Sequence, residues 1–189
     1  MLRRKNMAIF ASGEGSNAQK IIEYFNGNDK IRVSLIVSNN PAASVLEKAA
    51  RADINHLLIN KEEMKTGTKL VSLLKENQID LIVLAGFLWL IPSYLIKAYP
   101  EKIINIHPSL LPKFGGKGMY GMHVHQAVLD ANEKETGISI HLVDEVFDHG
   151  KVIFQAKCAV EANDSAQALA QKVHALEHEH YAKVLESFI

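Results

Sequence analysis

The run Leu81-Ile82-Val83-Leu84-Ala85 limits most sharply what this chain can fold into. Five consecutive apolar residues leave no polar face, so a strand built from them must be covered on both sides. That is the position of a central strand in a parallel sheet, and the flanking segments agree. Met7–Ser12, Ile31–Ser38, His56–Ile59 and Lys102–Ile106 read as further strands. Asn17–Phe25, Ser44–Ala52, Thr68–Asn77 and Pro92–Ala98 read as the helices between them. The first helix is entered through Ser16, and Pro92 opens the short one as a proline at the first helical position. Val45, Leu46, Ala49 and Ala50 share one helical face, as do Leu70, Leu73 and Leu74. This alternation predicts an α/β fold, a mostly parallel twisted sheet with helices on both faces. The pattern then changes. Thr136–Val143 and Lys151–Val160 are long strand-like runs with Asp148-His149-Gly150 turning between them, which predicts an antiparallel C-terminal extension of the sheet. Ser165 caps a last helix running from Ala166 to about Ser187, with Leu169, Val173, Leu176 and Val184 on its packing face.

A chain of 189 residues suits one domain, 1–189, with a sizeable core. Lys plus Arg is 21 and Asp plus Glu is 21, so no basic surplus marks nucleic acid as a partner. The single Cys158 excludes an internal disulfide framework and a Cys-built zinc site, and fits a reducing compartment. The N-terminus Met1-Leu2-Arg3-Arg4-Lys5-Asn6 is basic, but Met7 to Ala11 is too short for a signal-peptide core. The run Leu81 to Ile91 falls well below the ~20 residues of a membrane span. The expectation is a cytoplasmic protein with no membrane partner.

The chemistry-bearing residues concentrate in Asn105-Ile106-His107-Pro108-Ser109-Leu110-Leu111-Pro112. Asn105 and His107, two residues apart at a strand's end, point the same way, and Pro108 stops the strand behind them. In an open α/β sheet that rim is where ligands bind. An amide beside an imidazole can stabilise an oxyanion and move a proton, which is the equipment of acyl-type transfer. Position alone offers three acids to complete the set: Asp144, Glu145 and Asp148. Ser109 lacks the G-x-S-x-G elbow of a hydrolase nucleophile.

Gly13-Glu14-Gly15-Ser16-Asn17-Ala18 lies between the first strand and the first helix and fits the loose pattern G-x-G-x-x-[GA]. An anion at this helix N-terminus is expected. A dinucleotide would want an acid at the end of the second strand, where the chain has Val37-Ser38-Asn39-Asn40-Pro41. Ser16 and Asn17 suit one phosphomonoester better. His174-x-x-x-His178, with His180 behind it, and His123-x-His125 have metal-ligand spacing but no supporting H-E-x-x-H or Cys, so no metal is expected. Glu177, by sequence logic alone, is a solvated helix residue. Four glycines fall between Gly115 and Gly121; the stretch reads equally as a mobile connector or as a lid.

Taken together these segments resemble the phosphoribosylglycinamide formyltransferases, the ribonucleotide-using branch of the folate-dependent formyltransferases. The resemblance rests on Ala11–Asn17, Val83-Leu84-Ala85-Gly86-Phe87, Ile104–Pro112, Thr136–His141 with Val143, Asp148-x-Gly150, and Glu177-His178. It implies a Rossmann-like formyltransferase fold and transfer of a formyl group from 10-formyltetrahydrofolate to the amine of glycinamide ribonucleotide, without a metal. By the same resemblance Asn105 and a protonated His107 would bind the oxyanion, with Asp148 holding the imidazolium and a proton-relaying water. An ionised carboxylate that close would raise the imidazole pKa. Gly15, Ser16 and Asn17 would hold the substrate phosphate and Glu177 the ribose. Leu88, Trp89, Leu90 and Ile91, with Asp144, Glu145, Val146 and Phe147, would line the folate pocket. Leu111-Pro112 is expected to be cis. Many relatives carry a basic residue where this chain has Trp89, and the glycine-rich Lys113–Met122 segment is longer than in many of them.

Methionyl-tRNA formyltransferase and formyltetrahydrofolate hydrolase share the Asn/His/Asp chemistry. The first normally adds an RNA-binding domain and the second an N-terminal regulatory domain, and this sequence leaves room for neither. A catalytically idle ligand-binding module is the reading from another class. Monomer and homodimer both remain open.

Overall fold

The computed structural model describes residues 3–188. Met1, Leu2 and Ile189 lie outside the described residues, so the basic N-terminal run is described only from Arg3. In chain order the elements are β1 (Lys5–Phe10), α1 (Ser16–Tyr24), β2 (Ile31–Ser38), α2 (Ser44–Arg51), β3 (Asn55–Leu58), α3 (Lys61–Thr66) and α4 (Thr68–Glu76). Then follow β4 (Ile79–Leu84), α5 (Ser93–Ala98), β5 (Ile103–His107), α6 (Met122–Asp130), β6 (Glu135–Leu142), β7 (Val152–Ala159) and α7 (Ala166–Phe188).

The strands form one seven-stranded sheet in the order β3-β2-β1-β4-β5-β6-β7. β1 to β5 pair in parallel, and β6 and β7 add on antiparallel. The expected architecture is therefore the observed one. Its cause is visible in the central strands, where alternate side chains enter opposite cores. Met7 and Ile9 of β1, with Leu81 and Val83 of β4, pack under α1, α2 and α7. Ala8 and Phe10, with Ile82 and Leu84, pack under α3, α4 and α5. Chain order runs outward from β1 to β3 and then returns to β4 on β1's other side, so the crevice beyond the carboxyl ends of β1 and β4 is the switch point where such sheets bind ligands.

Several local expectations need correction. β1 starts earlier and ends earlier than Met7–Ser12, releasing Ser12 to bind the backbone N–H of Leu88 through its hydroxyl (3.0 Å). Gly15, not Ser16, caps α1, without a side-chain bond, because its left-handed φ of 70° turns the chain into the helix. Pro92 stands one residue before its expected place: with ψ 149 it is the extended cap of α5 rather than its first helical residue. Two helices went unforeseen. α3 is closed by a capping box, Asn60 Oδ1 accepting from the Glu63 N–H (2.8 Å) and Glu63 Oε2 from the Asn60 N–H (2.9 Å). α6 buries Val124, His125 and Val128 behind the glycine-rich stretch. Ser165 does cap α7, accepting from the Ala168 N–H at 3.1 Å. Leu111-Pro112 is cis.

Candidate active site

The loops leaving β1, β4 and β5 open onto a cavity of about 940 Å³. At its base β5 presents Asn105 and His107 on the same face, as strand alternation requires. The antiparallel register sets His141 of β6 directly opposite Asn105. The turn after β6 then brings Asp148, at φ 54°, over both. Asp148 Oδ2 lies 3.4 Å from His107 Nδ1, and Asp148 Oδ1 accepts from Asn105 Nδ2 at 3.3 Å.

Each ring's proton can be assigned from its neighbours. His141 Nδ1 faces the Leu142 carbonyl at 2.8 Å; a carbonyl only accepts, so the proton sits there and Nε2 accepts from Asn105 Nδ2 at 3.0 Å. His107 Nε2 likewise donates to the Phe114 carbonyl at 2.8 Å. Its Nδ1 faces the Asp148 carboxylate, so only the imidazolium satisfies both neighbours. Burial works the other way. His107 is 3% exposed, and desolvation pulls its pKa below the ordinary value more strongly than Asp148 and the Phe114 carbonyl raise it. The expected rise is therefore not found. Burial also pushes Asp148 up, but the facing His141 ring (Nε2 3.6 Å from Oδ1), the His107 charge and the Gly116 N–H together hold it below the usual carboxylate value.

The glycine-rich stretch lies against this pair. Gly116 N–H donates to Asp148 Oδ2 at 2.9 Å, and a Cβ on Gly115 would stand 2.5 Å from Leu111 Cδ2 and 3.1 Å from Asp148 Cβ. A side chain there would push the segment off the acid. Gly116 to Gly121 continue around the cavity wall.

At the other end, the Gly13–Asn17 loop lines the cavity beside α7. Gly15 is needed for two reasons: its φ is 70°, and a Cβ would meet Val45 Cγ2 at 2.5 Å. Asn17 Nδ2 donates to Glu177 Oε2 at 2.8 Å, while Asn17 Oδ1 is buried without a partner. Glu177 is 9% exposed, so the solvated-helix expectation fails; Asn17 and His174 Nδ1 (3.0 Å) cover it. That hydrogen bond raises the His174 pKa.

The remaining wall is apolar. Leu88, Trp89, Leu90, Ile91, Asp144, Val146 and Phe147 all line the cavity, and Glu145 does not. Trp89 meets Phe87 edge to face (6.2 Å), and Phe87 meets Phe10 in the same way (5.4 Å). Asp144 is committed elsewhere. One oxygen accepts from the Val146 N–H and the other pairs with His149, both at 2.9 Å. Of the three acids, Asp148 alone reaches His107.

The rings of His174 and His178 lie 4.0 Å apart, tilted at 56°, and among the described residues no group of three His, Cys, Asp or Glu is disposed to hold a metal. No helix of the described residues is long and apolar enough to cross a membrane. Sequence reasoning missed His141, His125 and Gly116 as site residues. His141 could have been found had the β5–β6 register been legible.

A family model described as formyl transferase matches residues 5–185. The chloroplastic phosphoribosylglycinamide formyltransferase of Arabidopsis thaliana is 40% identical over 97% of this chain, and that of Vigna unguiculata 41% over 98%. The chain spans 65% and 61% of the length of these two relatives. The phosphoribosylglycinamide formyltransferase of Bacillus subtilis (strain 168) is 34% identical over 98% of this chain and 95% of its own length. The crystal structure of phosphoribosylglycinamide formyltransferase from Bacillus halodurans superposes with a TM-score of 0.88 at 37% identity, covering 97% of this chain and 94% of that one. The parallel sheet with its antiparallel extension is thus the Rossmann-like formyltransferase fold. The chain belongs to the formyl transferase family.

Proposed function

We propose that this protein transfers the formyl group of 10-formyltetrahydrofolate to the primary amine of glycinamide ribonucleotide, giving formylglycinamide ribonucleotide and tetrahydrofolate in purine biosynthesis. The observation that carries the reading is one cavity holding Asn105, His107 and Asp148 between a glycine–Ser–Asn loop and an apolar wall. A phosphate at Gly15, Ser16 and Asn17, with the ribose at Glu177, would aim the amine at His107. The pterin would lie against Leu88 to Ile91 and the 144–147 loop, whose backbone groups suit an aminopyrimidine edge.

The amine attacks the formyl carbon, forming a C–N bond and placing negative charge on the formyl oxygen. The Asn105 amide and the His107 imidazolium stabilise that oxyanion, and positioning supplies much of the acceleration. The intermediate collapses with cleavage of the bond from carbon to N10 of the folate. The proton lost by the amine reaches N10 through a water held by Asp148. Asn105 Nδ2 bonds to Asp148 and His141, and His107 Nε2 to the Phe114 carbonyl. The formyl oxygen therefore has to displace protein acceptors.

The same reading takes residues 1–189 as one functional unit acting on small molecules in the cytoplasm, as monomer or homodimer, without nucleic acid. The test is an assay of the purified protein with 10-formyltetrahydrofolate, with and without glycinamide ribonucleotide. Acceptor-dependent production of tetrahydrofolate is expected. Formate release independent of the acceptor would replace this reading with the hydrolase.

A further inference from the structure

His125 is 5% exposed, yet its Nδ1 has no partner, and neither ring nitrogen bonds to any described residue. Buried polar groups are nearly always satisfied, and a histidine loses its water at a cost unless something replaces it. The ring is carried on the first turn of α6, at the end that faces the cavity, and it lines that cavity. The charged and titratable groups acting on it are Glu177 of α7 and His107 of β5. One belongs to the proposed ribose end of the site and the other to the transfer end. A ring coupled to both, in the cavity they share, is placed to meet the middle of an acceptor held at the two ends, which is the amide that joins the ribose to the attacking amine.

We propose that His125 is a positioning residue for the acceptor, hydrogen-bonding the carboxamide of glycinamide ribonucleotide so that its amine points at the formyl carbon. The assignment rests on the functional reading above. A neutral imidazole suits the task because it can donate to the amide's C=O or accept from its N–H, one hydrogen bond in either case. Burial does hold the ring's pKa below its ordinary value, favouring that form near neutral pH. Next to a protonated His107 a second cation would also be repelled, which a neutral ring is not.

The test compares His125→Phe and His125→Gln with the parent in steady-state kinetics, varying each substrate separately. His125→Phe fills the space without polar atoms. It is expected to raise the KM for glycinamide ribonucleotide roughly tenfold, the loss of one neutral hydrogen bond, while the KM for 10-formyltetrahydrofolate stays within error. His125→Gln keeps a donor and an acceptor and should restore most of the loss. Calorimetric binding of glycinamide ribonucleotide reads the same difference without turnover, and His125→Leu replaces the Phe variant if thermal melts show it unfolded. An unchanged acceptor KM, or equal rises for both substrates, would overturn the assignment of His125 alone. Absence of acceptor turnover in the parent would instead overturn the functional reading.

Discussion

At Asp148 the backbone is left-handed, φ 54°, a conformation Asn tolerates as well as Asp. Asp148→Asn is therefore expected to fold and to keep the side chain's shape while losing its charge. Without that charge the His107 imidazolium loses its anionic neighbour at 3.4 Å. We expect kcat to fall by roughly 10²- to 10⁴-fold, the usual scale of removing acid–base assistance. Asp144→Asn keeps the Oδ1 bond to Val146 but weakens the pair with His149, on the proposed folate side. It should mainly raise the KM for the formyl donor. Collapse of kcat in the Asp144 variant with near-normal turnover in the Asp148 variant would reverse these roles. Gly15 offers a second test at this scale. Gly15→Ala places a Cβ against Val45 and asks Ala to hold φ 70°, a strain of about 1–2 kcal/mol. Its signature should be a raised KM for the ribonucleotide, relieved only in part by adding Val45→Ala, since that removes Cγ2 at 2.5 Å but leaves the residue-45 Cβ at 2.7 Å and the backbone strain.

α7 ties the site's two strands together from behind. Tyr181, fully buried on its inner face, donates to the carbonyls of Leu84 (2.9 Å) and Ile104 (3.2 Å), the last residue of β4 and the residue before Asn105 in β5. Tyr181→Phe leaves the ring's packing and removes the shared donor. Chemical denaturation should show a loss of about 1–3 kcal/mol with an unchanged m-value, because two buried carbonyls lose a partner. A loss confined to kcat, with no change in midpoint, would mean that the tyrosine tunes the strand ends rather than holding them. What could be read ahead divides at this same scale. Asn105, His107 and the Gly13–Asn17 loop are local in sequence, so period-two alternation and turn chemistry were enough to place them. His141 was not legible as a partner of Asn105, because that contact depends on antiparallel register across 36 residues. Glu177 looked solvated since nothing within α7 reveals that Asn17, 160 residues earlier, covers it. His125 looked like half of an unsupported pair with metal-ligand spacing until α6 placed it on the buried face with Val124 and Val128. α3 is the avoidable miss, since Asn60-x-x-Glu63 is a capping box in plain sequence.

Across the whole molecule the buried histidines set how stability should change with pH. His107, His125 and His178 are each held below the ordinary value of 6.5, burial being the largest cause in every case. Between those lowered values and 6.5 the unfolded chain binds more protons than the folded one, so acidification through that window favours unfolding. His174 acts in the opposite sense. Its hydrogen bond to Glu177 raises its pKa, so it contributes stability that is present below 6.5 and lost as pH rises through the raised value. With its side chain 43% exposed, that contribution is screened by solvent. Asp148, Asp144 and Asp164 are held below the ordinary 3.8. Burial opposes this most strongly in the first two, against their hydrogen bonds, and the bond from Lys172 is the main cause in the third. Their contribution is present above 3.8 and lost as pH falls through the depressed values. The balance predicts a melting temperature that declines from pH 7 to pH 5, where three histidines outweigh one, and declines again below pH 4 as the carboxylates protonate. Melts in constant ionic strength would check it, with His125→Phe expected to flatten the first decline while leaving the second intact. A Tm that is level or rising on going from pH 7 to pH 5 would show that the pocket opens to water and lets its histidines charge without loss.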